Sequence, residues 1–168
     1  MKRKEFFRTV GTAGLLMAVS PMKALAGTTM NDPQLDKALV EKFVGAAHSD
    51  MDTVKNLLEE HPTLLNAAHD WKFGDFETAL GAASHVGYKE LARYLLNQGA
   101  QANIFTAALF GELDLLKAML TAFPASLNAK GPHGFTLLHH AKKGGDYAKP
   151  VVDYLHQLGA TETKVALY

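Results

Sequence analysis

Residues 78–103, TALGAASHVGYKELARYLLNQGAQAN, decide the fold. They read as two short amphipathic helices, with a turn at Val86-Gly87 and a glycine stop at Gly99. Thr78 can cap the first helix, and Ala82-Ala83 is small enough for another helix to pack closely on it. The second helix places Leu91, Leu95 and Leu96 on a face that needs covering. Two helices of this length cannot bury their own apolar faces, so the unit should recur.

It does. With the turns in register, AAHSDMDTVKNLL (46–58), ASHVGYKELARYLL (83–96), AALFGELDLLKAML (107–120) and the looser HAKKGGDYAKPVVDYL (140–155) align. Val54, Leu91, Leu115 and Val151 then form one column, and Leu58, Leu95, Met119 and Leu155 another. The turn residues Asp50, Gly87 and Gly111 are 37 and 24 positions apart. Helix pairs at such intervals mark a solenoid.

At this point the chain resembles the ankyrin-repeat family. Gly134-Phe135-Thr136-Leu137-Leu138-His139-His140-Ala141 and Thr78-Ala79-Leu80-Gly81 match the first half of that family's repeat. Gly87 through Leu95-Leu96, Gly99-Ala100 and Asn103 match the second half. The resemblance covers about residues 40–161. It implies an all-α solenoid of about four repeats, and it says little about function.

Composition sets the outer bounds. The chain has 168 residues, 48% apolar and 20% charged, as expected for one globular domain with a real core. It contains no cysteine, which excludes a disulfide framework, a thiol nucleophile and a cysteine zinc site. A formal net charge of zero argues against a nucleic-acid surface.

Residues 1–26 read as an export signal and 27–168 as the repeat domain. Lys2, Arg3, Lys4 and Arg8 form a basic start, Val10 to Met22 is mildly apolar, and Ala24-Leu25-Ala26 suits a cleavage site. The segment looks like a bacterial twin-arginine signal in which Lys4 replaces the second arginine, so the general secretory route stays open. The alternative is an uncleaved amphipathic anchor. The apolar run is short and glycine-containing for a membrane span. Cleavage after Ala26 removes five of 17 basic and one of 17 acidic residues, leaving 12 against 16 and a net charge of −4. The expected product is a mildly acidic periplasmic or secreted monomer.

The mature part is expected to open with a helix capped by Asp32, with Pro33 at its first position. Leu35, Leu39, Phe43 and Ala46-Ala47 would form its inner face, and the helix would cap the open end of the stack. Asp50 would adopt the tight turn where glycine is usual. Residues 66–76 should form a long finger carrying Trp71, Phe73 and Phe76, as contact surface or as satellite core. The third repeat enters its helix directly after Asn103 and lacks a finger, leaving a notch beside Phe105 and Phe110. Gly131-Pro132-His133-Gly134 reads as a tight exposed tip. Pro150 would start the last helix, with Val151, Tyr154, Leu155 and Leu158 inward.

Chemistry is thin. His139 sits where the resemblance implies an imidazole bonded to the backbone of an adjacent finger, with Thr136 as helix cap. His133 and His140 flank it, but neighbouring His139 and His140 face different ways on a helix. His48 and His85 fall near the turns without forming a site. No HExxH, phosphate loop or G-x-S-x-G elbow occurs. Glu59-Glu60, Asp50/Asp52 and Lys142-Lys143 read as solvated surface. No enzyme activity, metal or cofactor is expected. The sequence is read as a non-catalytic protein-interaction module of the bacterial cell envelope, anchored by Trp71, Phe73, Phe76 and His133. The alternatives are an accessory or small-ligand role in the notch near Phe105 and Phe110, or a structural spacer.

Overall fold

The computed structural model describes residues 34–168. The export signal, its cleavage site and the expected Asp32-Pro33 helix start lie outside them. The described chain forms four helix pairs: α1 Lys37–Ala46 with α2 Met51–Glu60, α3 Ala79–Val86 with α4 Lys89–Asn97, α5 Ile104–Phe110 with α6 Leu113–Ala122, and α7 Leu137–Gly144 with α8 Lys149–Gln157. The only sheet among the described residues is a hairpin, β1 Ala68–Asp70 and β2 Phe76–Thr78, antiparallel with His69 opposite Glu77. The repeats and the finger hairpin therefore stand as the sequence predicts.

The first helices pack α1 on α3, α3 on α5 and α5 on α7, and α7 also touches α3. Small residues make this possible. Ala82, Ala83, Ala107, Ala108 and Ala141 are buried along these helices. At Gly144 an added Cβ would collide with the Leu109 carbonyl of α5 and lie 2.5 Å from Ala148 Cβ, so only glycine fits. Polar stitching supplements the packing. Ser84 and Thr106 hydroxyls meet at 3.3 Å between α3 and α5, and Lys89 Nζ donates to the Gly144 carbonyl at 2.7 Å, closing the end of α7. Caps follow the sequence at Thr78 and Thr136, and Asn103 adds a third; each of these side chains accepts a backbone N–H of the first turn.

The structure corrects several expectations. α1 starts after Asp36, whose carboxylate accepts the Leu39 N–H at 2.9 Å. Its buried face is Val40, Phe43 and Val44, while Leu35 is exposed. α1 is the first member of the first pair, not an extra capping helix. Asp50 makes no left-handed turn: at φ −123° it caps α2 by accepting from Thr53 N–H. In α6 the buried stripe is Leu116 and Leu120, one residue on from the expected Leu115 and Met119; Leu115 is 51% exposed. α8 does start at Lys149-Pro150, but Leu158 is exposed. Gly131 and Gly134 are buried, so the expected exposed tip folds inward. There the tail pairs with it: Val165 N–H donates to the Gly134 carbonyl at 2.9 Å and Thr136 N–H to the Thr163 carbonyl at 3.1 Å.

Candidate binding face and histidine cluster

The finger is a twisted hairpin whose alternation sorts its side chains. His69, Trp71, Asp75 and Glu77 fall on the face turned to the helices; Asp70 and Phe76 fall on the other. Trp71 N–H donates to the Asp75 carbonyl at 3.1 Å, carrying the ladder one step further. The strands are then joined by Lys72-Phe73-Gly74-Asp75, where Asp75 N–H donates to the Lys72 carbonyl at 3.1 Å. Both central residues have positive φ, 52° at Phe73 and 85° at Gly74, as the hairpin turn of type I′ requires. Asparagine or aspartate is the usual first residue of that turn. Here it is a phenylalanine, 87% exposed, meeting Tyr168 edge-on among the described rings (centroids 5.8 Å apart).

The four expected anchors divide. Phe73 and Phe76 are exposed, at 87% and 62%. Trp71 packs partly against the first hydrophobic cluster, and its Nε1–H donates to Glu77 Oε2 at 2.7 Å. His133 is half-buried at φ 57°, and Asp75 holds it twice: its backbone N–H and its Nδ1 each lie 2.8 Å from a carboxylate oxygen. Trp71 and His133 are therefore structural in part, and the outward surface of the finger is Phe73 and Phe76.

The expected notch is two places. Phe105, at the start of α5, lines a groove of about 260 Å³ with Phe76, Gly131, Pro132, His140 and Leu167. Phe110, at the end of α5, lines a separate surface hollow with Lys89, Glu90 and Tyr147, and the Arg93 guanidinium lies 4.1 Å above its ring. The two rings thus line separate hollows at opposite ends of α5.

His139 bonds backbone as expected, but to α3: its Nε2 lies 2.7 Å from the His85 carbonyl, not from a finger. Burial foremost lowers its pKa. His140 is fully buried, with Nδ1 2.8 Å from the Thr136 carbonyl and Nε2 without a partner. Burial pushes its pKa down to about 4. The unfolded chain takes up that proton near 6.5, so stability is flat above that pH and falls as pH drops from about 6.5 to 4, by about 3 kcal/mol in all. Urea titrations across this range are expected to show a shallower decline in His140→Asn, whose amide replaces the Nδ1 bond but does not titrate. An unchanged decline would assign the acid sensitivity elsewhere.

Beneath the finger, the structure gathers residues that sequence spacing left apart. Glu77 is 1% exposed. Its Oε2 lies 3.5 Å from His48 Nε2 and 3.4 Å from His133 Nε2, and its Oε1 lies 2.8 Å from His85 Nδ1. The last contact is short but off the hydrogen-bond line, so Glu77 Oε1 and His85 Nδ1 are both buried without a hydrogen-bond partner. The histidine side chains crowd together, with His48 and His85 centroids 5.0 Å apart and His85 and His133 5.2 Å apart. Burial pushes the Glu77 and Asp75 carboxyls up, but contacts to His85 and to His133 respectively outweigh it, so both stay below the usual carboxylate range. His48 and His85 thus line up near the turns as the sequence suggests, and Glu77 and His133 join them there. Both lie two residues before the turn position of their repeat, His48 just past the end of α1 and His85 in the last turn of α3.

Compared with known families, residues 75–107 match the model described as "Ankyrin repeat". No curated protein matches the chain.

Proposed function

We propose that this chain, which matches the ankyrin-repeat model over residues 75–107, is a non-catalytic protein-interaction module that binds a partner in the bacterial cell envelope through the aromatic edge of its finger. The observation that carries this reading is Phe73. An aromatic side chain at positive φ costs about 1 kcal/mol relative to a residue that tolerates this turn, and its exposure returns almost no packing energy. A strained, solvated aromatic beside exposed Phe76 has the character of an interface anchor. The basic, mildly apolar start of the chain and its Ala24-Leu25-Ala26 site support export to the periplasm.

Opposite signs of two effects test the proposal. Phe73→Asn installs Asn-Gly in the turn and is expected to raise unfolding stability by roughly 0.5–1 kcal/mol, while weakening the partner captured from envelope extract by about tenfold or more. Chemical denaturation and a titration of that partner check the two. If stability falls and affinity holds, Phe73 is a structural residue and the aromatic edge is not the contact face.

A further inference from the structure

The cluster beneath the finger points to more than internal pairing. We propose that His48 Nε2, His85 Nδ1, His133 Nε2 and the Glu77 carboxylate form a site for one divalent transition-metal ion, with Zn²⁺ the best match.

The tautomers argue for it. His48 Nδ1 lies 3.0 Å from the Gly45 carbonyl, and His133 Nδ1 lies 2.8 Å from Asp75 Oδ2. Both partners are acceptors, so each Nδ1 must carry the hydrogen. In the neutral rings the two Nε2 atoms are then bare lone pairs, and both face the same Glu77 oxygen at 3.4 to 3.5 Å. Acceptors turned on a buried carboxylate repel one another unless a cation lies between them.

The unpartnered atoms point the same way. Glu77 Oε1 and His85 Nδ1, on residues 1% and 6% exposed, face each other at 2.8 Å without a hydrogen bond. The four donor atoms lie within 4.8 Å of one another. Bond lengths of about 2.0–2.1 Å place tetrahedral zinc donors about 3.3 Å apart, so small side-chain movements complete the geometry. Three imidazoles and a carboxylate suit zinc.

An outer layer is already built. The Gly45 carbonyl and Asp75 orient two rings through their Nδ1–H groups, as partners of metal-bound histidines do. Trp71 Nε1–H fixes Glu77 Oε2 at 2.7 Å. Phe135 stacks on His85, with centroids 5.0 Å apart. The ligands come from the turn after α1, the finger, α3 and the connection before α7, so a bound ion would tie three repeats together.

The test uses the full chain, stripped with a chelator and titrated with Zn²⁺ against a chromophoric competitor. Co²⁺ serves as the spectroscopic probe. The expected result is one equivalent of tight binding, a four-coordinate Co²⁺ visible spectrum, and a melting temperature that rises with Zn²⁺ and falls again with EDTA. His85→Gln and His48→Gln are expected to lower affinity by about 100-fold or more. A His61→Gln/His156→Gln control, altering two exposed histidines, should bind as the parent does. His48 is half-exposed, so its variant keeps the experiment decisive if His85→Gln does not fold. Absence of stoichiometric uptake, or equal uptake by His48→Gln, would overturn the proposal and leave the cluster a set of internal contacts around Glu77.

Discussion

Truncating Leu116 to alanine is expected to cost about 3 kcal/mol of unfolding stability, and truncating its neighbour Leu115 less than about 1. Leu116 has no exposed surface and belongs to the second hydrophobic cluster, which the last two repeats share. Its removal leaves a cavity that the small residues of α5 and α7 cannot collapse to fill. Leu115 is half-exposed, so alanine there forfeits little burial. Urea unfolding of the two variants, compared at equal slope, checks the pair. The comparison also reads the repeat register: a larger loss at Leu115 would restore the column with Val54, Leu91 and Val151 and contradict the packing of α6.

The second large effect belongs to Glu77. Glu77→Ala is expected to destabilise the chain by about 3 kcal/mol near neutral pH, because it leaves the Trp71 N–H without its acceptor and empties a fully buried position beneath the finger. The loss should be concentrated in the finger. Hydrogen exchange at the amides of the 68–70 and 76–78 strands should accelerate more than exchange in α7. Glu77→Gln keeps an acceptor for Trp71 and should cost less. A neutral Glu77→Ala would show that the finger is held by backbone pairing and the Trp71 ring alone.

Much of this was legible in the sequence because repetition supplies its own check. Thr78, Asn103 and Thr136 announce helix starts by local chemistry, and Gly87 and Gly111 announce stops in the left-handed region at φ 83° and 74°. The finger was legible from its length and from the missing counterpart after Asn103. What escaped was rotation and convergence. In LDLLKAML both stripes, Leu115/Met119 and Leu116/Leu120, are apolar, and only the neighbouring helices decide which is buried. The start of α1 was likewise not singled out, since Asp36 is one of several aspartates able to cap a helix.

The site was harder. Strand alternation in the finger depends on a register that no local residue announces, so Trp71, Phe73 and Phe76 read as one aromatic group. The register splits them: Trp71 turns to Glu77, Phe76 turns outward, and Phe73 stands at the tip. His133 seemed an exposed tip because Gly-Pro-His-Gly is turn chemistry. The tail pairing at residues 163–165 folds that turn inward and brings the imidazole to Asp75 and Glu77. The stacking of His48 and His85 follows from equal repeat positions, but their partners come from the finger and from a different connection.

The most direct test of the binding face is photo-crosslinking in intact cells. A photoreactive phenylalanine analogue would replace Phe73 in one full-length chain and Phe123, an exposed phenylalanine outside the finger, in another. A discrete protein adduct from position 73, and none of that mass from position 123, is the predicted result. Adducts of equal yield from both positions, or none from position 73, would contradict the finger as the contact face.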